Sequence, residues 1–427
     1  MRIVTVLNTM NPLKGFVYDK VDYEGEKGEK PTLIKIEVRE DRRIRGRCGK
    51  CGEPGPCYDH LPRRAYEFVP LWSIPVVLFY ARRRIQCPRC GVRAERLDWA
   101  LGKSPVTVAL SWFLALWARE MSWHKAAMRF RVSWHTVYCA VRHAVEWGLT
   151  HRDVSGVTAI GVDEIAYGHG QNYLTLVYQL DHGKRRLLWI GKDRTEKTLD
   201  GFFDQFGKAF SEGLRYVCSD MWKPYLKVIA SRAAKALNIL DRFHIMMHMS
   251  KAVDEVRRDE TRRLREEKRE AVLSKSRWCF LKRPENLTEK QELRLRDLLG
   301  MNLRTVRAYL LKESFQQFWE YVRPSWAGRY LDAWCRSAMR SRLEPFKKFV
   351  KMMRTHRTLI LNWFEANKSF NSGIVEGMNN KARTRIKMAY GYRKVQTLIT
   401  ALFHQMGELP MPDYAHKFFH DYSVRSS

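Results

Sequence analysis

This chain has too few acidic residues to balance its basic ones. Its 427 residues carry 77 Lys plus Arg against 46 Asp plus Glu, a formal net charge of +31. Such an excess repels itself in a compact state and is best explained by a polyanionic partner. Nucleic acid is the first candidate. A membrane surface is the second, but no strongly basic amphipathic terminus or lipidation motif favours it. Long apolar runs are also missing. The longest, "VPLWSIPVVLFYA" (Val69–Ala81), holds two prolines and falls short of the ~20 residues that span a bilayer. The opening "MRIVTVLNTMNPLKG" lacks the apolar core and cleavage site of a secretory signal. A cytoplasmic, nucleoid-associated protein with no membrane partner is therefore expected. Internal repeats and long low-complexity linkers are absent too. A chain of this length favours about two to four domains.

What is present changes character along the chain. Residues 1–40 read as a β-hairpin region, because "GFVYDKVDYE" and "TLIKIEVRE" alternate apolar and polar around the turn-rich "GEKGEKP". Residues 41–95 carry paired cysteines, and residues 104–150 have helical spacing. From Val157 to His244 five strand patterns appear: "VTAIGVDEIAY", "NYLTLVYQL", "RRLLWIGK", "LRYVCSD" and "NILDRFH". Helical segments separate the later ones, which predicts a mixed sheet. Beyond it the strand signal vanishes and helical patterns carry Trp319, Trp334 and Trp363. The fold class expected is a multidomain α/β protein.

"CGKCG" and "CPRCG" repeat a C-x₂-C pair, Cys48 with Cys51 and Cys87 with Cys90. Each pair is followed by a glycine, which permits the turn that aims both thiolates at one ion. Four thiolates satisfy tetrahedral Zn²⁺, and the 35 residues between the pairs suffice for a small β-rich ribbon. In a cytosolic chain that is a better use of cysteine than disulfides. Cys57 and His60 lie between the pairs and are alternative ligands. The knuckles are flanked by "DRRIRGR" and "ARRRIQ"; Arg82, Arg83 and Arg84 are candidates to grip phosphates.

"MSWHKAAMRFRVSWHTVYCAVRHAVEW" (Met121–Trp147) reads as a helix-turn-helix. A first helix over about Trp123–Phe130 leads to the turn "RVS", and Ser133 is a good N-cap for the second. Val137, Val141 and Ala144 form an apolar stripe. His135, Thr136 and Arg142 fall on other faces and are candidate DNA contacts, since the second helix of this motif enters the major groove. An ordinary helical hairpin is the alternative.

Three acids stand in unusual places. Asp163 lies in an apolar strand, where a carboxylate needs a partner or a metal. Asp220 ends a strand before a helix, where open α/β sheets gather ligands. Glu376 is the sole acid between Glu365 and Glu408. If "EGMNNKARTRIKMA" is helical, Asn380, Arg383 and Lys387 share its face, with Met378, Ala382, Ile386 and Ala389 opposite. Two Asp and one Glu around a pair of Mg²⁺ ions make a site for in-line attack at phosphorus. Glu164, next to Asp163, is an alternative ligand.

Taken in order, "GVDE", "CSDMWKPY", "ILDRFH" and "SGIVEGMNNKARTRIK…AYGYR" resemble the DDE transposases of bacterial insertion sequences, the ISL-three family in particular. The resemblance implies a zinc-binding ribbon (41–95), a helix-turn-helix domain (104–150) and an RNase H-like catalytic domain. That last domain would run over 155–250 and 366–407, interrupted by an all-helical insertion (251–365) and followed by a tail (408–427). By position it implies Asp163, Asp220 and Glu376 as the catalytic triad, 57 and 156 residues apart. Asp241 and His244 match a family Asp-x-x-His feature, and Arg383 stands where the family commonly has Lys. The implied cofactors are two catalytic Mg²⁺, with Mn²⁺ as a substitute, and one structural Zn²⁺. The implied partners are double-stranded DNA, as terminal inverted repeats and target, and further copies of the chain in a homodimer or higher oligomer. The implied reaction is cleavage at the element ends followed by strand transfer. A non-catalytic, domesticated DNA-binding regulator and a nuclease without strand transfer are the competing readings.

The cysteine spacing carries its own test. Metal analysis of folded, dialysed protein is expected to return about one zinc per chain. Near-zero metal in a folded sample would remove the zinc ribbon.

Overall fold

The computed structural model describes residues 2–26, 28–100, 102, 104–168, 172–268, 272–369, 373–389 and 391–412. Of the expected 408–427 tail, only residues 408–412 fall within this range. The chain forms two compact units, one made of residues 1–153 and 392–427, the other of Val154–Gly391. The protein is of mixed α/β class, with several sheets and many helices.

The first unit opens with α1 (Ile3–Met10), which the reading of residues 1–40 as a hairpin did not include. Its β-branched residues disguise it; Leu7 buries into the core and Asn8 bonds the backbone of Tyr18 on the next strand. There follow β1 (Phe16–Glu24), β2 (Leu33–Glu40), the short β3 (Gly46–Arg47), β4 (Pro54–Gly55) and β5 (Cys57–His60), then β6 (Arg64–Leu71), β7 (Ile74–Tyr80), β8 (Arg83–Cys87) and β9 (Gly91–Ala94). The segment between the cysteine pairs divides. β6 and β7 leave the ribbon and join β1 and β2 in a sheet ordered β1-β2-β7-β6. Val76, Leu78 and Tyr80 alternate inward and are buried, and a zinc ribbon is too small to cover such a face. α2 (Val108–Glu120), α3 (Trp123–Phe130) and α4 (Trp134–His151) complete this part. The helix Val395–Met406 packs on α4 in the same unit.

The second unit is built on a five-stranded sheet of β10 (Ala159–Ala166), β11 (Tyr173–Gln179), β12 (Leu187–Lys192), β13 (Tyr216–Ser219) and β14 (Leu237–Leu240). Its order is β12-β11-β10-β13-β14, antiparallel across the first three strands and parallel from β10 to β14. α5 (Glu196–Gly213) and α6 (Lys223–Arg232) pack on one face, where Ile160, Val162, Val177 and Val217 meet Leu199, Phe202 and Ile229. Period-two alternation then sends Gly161 and Asp163 to the other face.

After β14 come α7 (Arg242–Glu266), α8 (Arg277–Leu281), α9 (Glu289–Leu299), α10 (Arg304–Gln316), α11 (Pro324–Arg340), α12 (Glu344–Thr355), α13 (Arg357–Glu365) and α14 (Gly373–Met388). The tryptophans of the helical patterns are core residues: Trp319, Trp334 and Trp363 are buried with Phe315, Phe318, Phe349 and Phe364 in an edge-to-face network. α13 is tied to the sheet by Asn362, whose amide donates to the Asn238 carbonyl at 2.7 Å. The predicted capping box of Thr288 and Gln291 is present at the start of α9.

Glu260 of α7 is 2 % exposed. Its carboxylate accepts from the backbone N–H groups of Arg304 and Thr305 and from the Thr305 hydroxyl at 2.7–2.8 Å, capping α10. Glu260→Ala would leave these donors buried without a partner. It is expected to lower stability by about 2–3 kcal/mol, read as a shift of the urea midpoint; a shift under ~0.5 kcal/mol would remove this account.

Candidate metal sites and nucleic-acid interface

The Sγ atoms of Cys48, Cys51, Cys87 and Cys90 lie within 4.8 Å of one another. Tetrahedral zinc with ~2.3 Å bonds places its sulfurs about 3.8 Å apart, so the four thiols fit that ion. Gly52 and Gly91 take φ of +77° and +68°, the left-handed turns that the cysteine pairs require. The backbone N–H groups of Cys51 and Lys50 hold the Cys48 thiol below its ordinary range, while burial and the neighbouring thiols push Cys51 up, so the four share their protons as one group. Cys57 is not in the cluster; its thiol faces the Asp59 carbonyl at 3.5 Å on β5, and His60 is likewise outside it.

The arginines beside the second knuckle are engaged internally. Arg83, expected on DNA, is buried at 7 % exposure, and its guanidinium and backbone N–H both donate to the buried Glu95 carboxylate at 2.9 Å. This corrects the expectation, because a buried charge is held by the partner that neutralises it. Arg82 donates to the Glu95 carbonyl at 2.7 Å, and Arg84 forks onto the Asp59 carboxylate.

α3 and α4 have the expected caps. Ser122 and Ser133 accept from Lys125 N–H and Thr136 N–H, and Arg131 closes α3 in a left-handed C-cap. The Thr136 hydroxyl lies 2.8 Å from that of Ser133 and belongs to the cap. His135 is exposed, 3.4 Å from the Cys139 thiol. Arg142 is exposed but shared with Glu146 at 3.7 Å and with the ring of Tyr138.

The acids gather in the second unit. Asp163 stands in β10. Its Oδ1 accepts from Glu164 N–H at 2.8 Å and its Oδ2 from the Asn379 amide at 2.5 Å. Asp220 follows β13 and accepts from Trp222 N–H at 2.9 Å. Asp163, Asp220, Asp241 and His244 line one cavity. Asp163 also lines a second, with Glu164, Arg194, Glu376, Asn379, Arg383 and Lys387. Asp163, Asp241 and His244 are thus common to both cavities. Among the described residues, the cysteines are the one set of three or more such ligands whose donor atoms all lie within 4.8 Å. The acids are set more widely than that.

Electrostatics marks the same place. Burial pushes the Asp163 carboxyl up to about 6, with Asp220 and Asp241 adding to it against the Glu164 N–H and His244. Burial, then Asp220 and Asp163, push Glu164 up to about 7. Burial also raises Asp220. For His244, burial disfavours the charged ring, but Asp241 at 3.2 Å and the other acids outweigh it and raise the pKa to about 9. The Glu164 Oε2 is buried and lacks a hydrogen-bond partner, and Arg194 reaches the other oxygen at 3.5 Å. A buried carboxylate oxygen without a partner is the kind of donor that a hard divalent cation takes.

α14 turns Glu376, Arg383 and Lys387 of the expected face to the cavity of Asp163, with Asn379 rather than Asn380 beside them. The buried stripe is Val375, Asn379 and Ala382; Met378 and Ile386 are half-buried and Ala389 is exposed. Asn380 is exposed, accepting from Arg383 at 3.3 Å. Asn379 takes the inward place. Its Oδ1 accepts from the Tyr178 hydroxyl at 2.8 Å while its amide holds Asp163. Sequence reasoning missed Asn379; the available signal was an amide placed four residues after Val375 and three before Ala382. Gly161 permits this docking, since a Cβ there would lie 2.7 Å from Val375 Cγ2.

The raised Asp163 pKa has a measurable sign. Folded, the group binds its proton more tightly than at its ordinary 3.8, so in metal-free protein it costs stability progressively as pH rises from about 4 to about 6. The melting temperature of wild type relative to Asp163→Asn is expected to fall across that window. A flat difference would remove the buried-acid account.

A model of the ISL3-type DDE transposase family, described as transposase, matches residues 160–402. The transposase for insertion sequence element IS1001 of Bordetella parapertussis is 27% identical over 391 residues, covering 91% of this chain and 94% of that protein. The transposase for insertion sequence element IS1557 of Mycobacterium tuberculosis is 27% identical over 412 residues, covering 90% and 91%. The family match begins in β10, runs through all three strand and helix positions of the acids, and spans more than half of the chain; the protein belongs to the ISL3 family of DDE transposases.

Proposed function

We propose that this transposase binds the terminal inverted repeats of its element and catalyses metal-dependent strand cleavage and strand transfer, with Asp163, Asp220 and Glu376 as metal ligands on an RNase H-like domain. The observation that carries the reading is that β10, the end of β13 and α14 line two cavities that share Asp163, Asp241 and His244, with Asp163 bonded to Asn379. The order β12-β11-β10-β13-β14 supports the RNase H-like assignment. Synapsis of two ends calls for at least a dimer.

Two Mg²⁺ ions, or Mn²⁺ in their place, would activate the attacking oxygen and stabilise the leaving one. The protein's own groups set the stage. Asp163 is oriented by two donors, which leaves its remaining lone pairs for a cation. Asp220 is fixed by the Trp222 N–H at the start of the following helix. His244, charged at neutral pH beside Asp241, limits the negative potential that the acids impose on one another. Arg194, Arg383 and Lys387 line the same cavity and supply positive charge for phosphate oxygens. Glu164 is the reserve ligand, held toward Arg194.

The test uses duplexes carrying the inverted repeats that flank the reading frame, a target plasmid and Mg²⁺. Asp163→Asn, Asp220→Asn and Glu376→Gln are each expected to lower cleavage by more than the roughly 100-fold that losing a supporting partner costs, with end binding retained. Cleavage kept in any one of them would sink that residue's assignment. Cleaved but never joined products from wild type would favour a nuclease.

A further inference from the structure

The positive charge of the first unit is not evenly employed. Between Met121 and Val145 the sequence contains no Asp or Glu. Within that stretch α3 buries Ala126 and Ala127 and leaves His124, Lys125, Met128 and Arg129 exposed. Residues 124 and 128, and 125 and 129, are one helical turn apart and share a face. Arg131 continues the face from its left-handed cap, φ +54°. These five side chains, with Met121, line one open concavity.

Several other cations of the unit are committed to carboxylates. Arg83 and Arg84 are neutralised by Glu95 and Asp59, and Arg142 is shared with Glu146. Among the described residues, no ion pair engages Lys125, Arg129 or Arg131. Free cations on the outer face of the first helix of such a motif stand where that helix crosses a sugar–phosphate backbone. Met128, 70% exposed between them, offers apolar contact to deoxyribose.

We infer that this concavity is a DNA-backbone site, in which Lys125, Arg129 and Arg131 hold phosphates of a duplex while the exposed start of α4 faces the base edges. The inference rests on the reading of the chain as a DNA-binding transposase and assigns the grip to α3 rather than to the arginines of β8. Phosphate contacts position a protein without reading sequence, so an arbitrary duplex suffices as probe.

The experiment measures binding of the zinc-loaded full chain to a short fluorescent duplex of arbitrary sequence over a series of salt concentrations. Lys125→Gln, Arg129→Gln and Arg131→Asn are combined; Asn tolerates the left-handed cap. The slope of log affinity against log salt is expected to shrink by about 0.9 for each lost contact. The charge-retaining set Lys125→Arg, Arg129→Lys and Arg131→Lys is expected to keep the wild-type slope. An unchanged slope in the neutral set would overturn the assignment, and so would an equal loss in the charge-retaining set, which would mark a structural role. Wild type that bound no duplex would overturn the DNA reading and this assignment together.

Discussion

Asn379 is the joint on which the acidic site depends. It accepts from Tyr178 and donates to Asp163, so one buried amide ties α14 to two neighbouring strands. An amide suits the place because it is donor and acceptor at once: it accepts the proton that the Tyr178 hydroxyl donates and donates to a carboxylate that can only accept. The bonds form because the helix can come close. Gly161 lies opposite Tyr178 on the paired strand and has no Cβ to meet Val375. Sterics and hydrogen bonding therefore select one rotation of α14, and that rotation brings Glu376 to the cavity of Asp163.

The 156 residues between Asp220 and Glu376 are spanned by a body with its own core. Phe315, Phe318, Trp319, Trp363 and Phe364 pack together, and α13 is anchored to β14 through Asn362. Arg242, which follows Asp241, lies over the rings of Trp319 and Trp363. Lys368, in a left-handed turn after α13, donates to the Trp319 carbonyl at 2.8 Å. The aromatic core thus touches the chain at both borders of the insertion, on departure from β14 and on return toward α14. Bracing the candidate site is a use for the tryptophans that does not require them to meet solvent.

Charge is divided by burial. Acids buried together raise one another's pKa, and this is tolerable where a cation or a charged His244 answers them. Basic residues next to carboxylates, as in Arg83 with Glu95, are spent on the fold. Those on α3 are not. Net charge says that a polyanion is expected; only the pairing of each side chain says which cations remain to meet it.

Much of this was legible in the chain. Alternating apolar residues marked the strands of both sheets, Ser133 marked the start of α4, and paired cysteines marked a cluster of four thiols, because each is a local rule with a local cause. The acids were legible as residues too costly to bury without a reason. The helix rotation that favours Asn379 over Asn380, the loss of β6 and β7 from the ribbon to a larger sheet, and the burial of Arg83 were decided by tertiary structure. Each depends on what a distant segment presents: Gly161 to α14, β2 to β7, Glu95 to β8. Covalent sequence determines which chemistry is available at each position, but close packing and the pairing of buried polar groups decide which face of each element receives it.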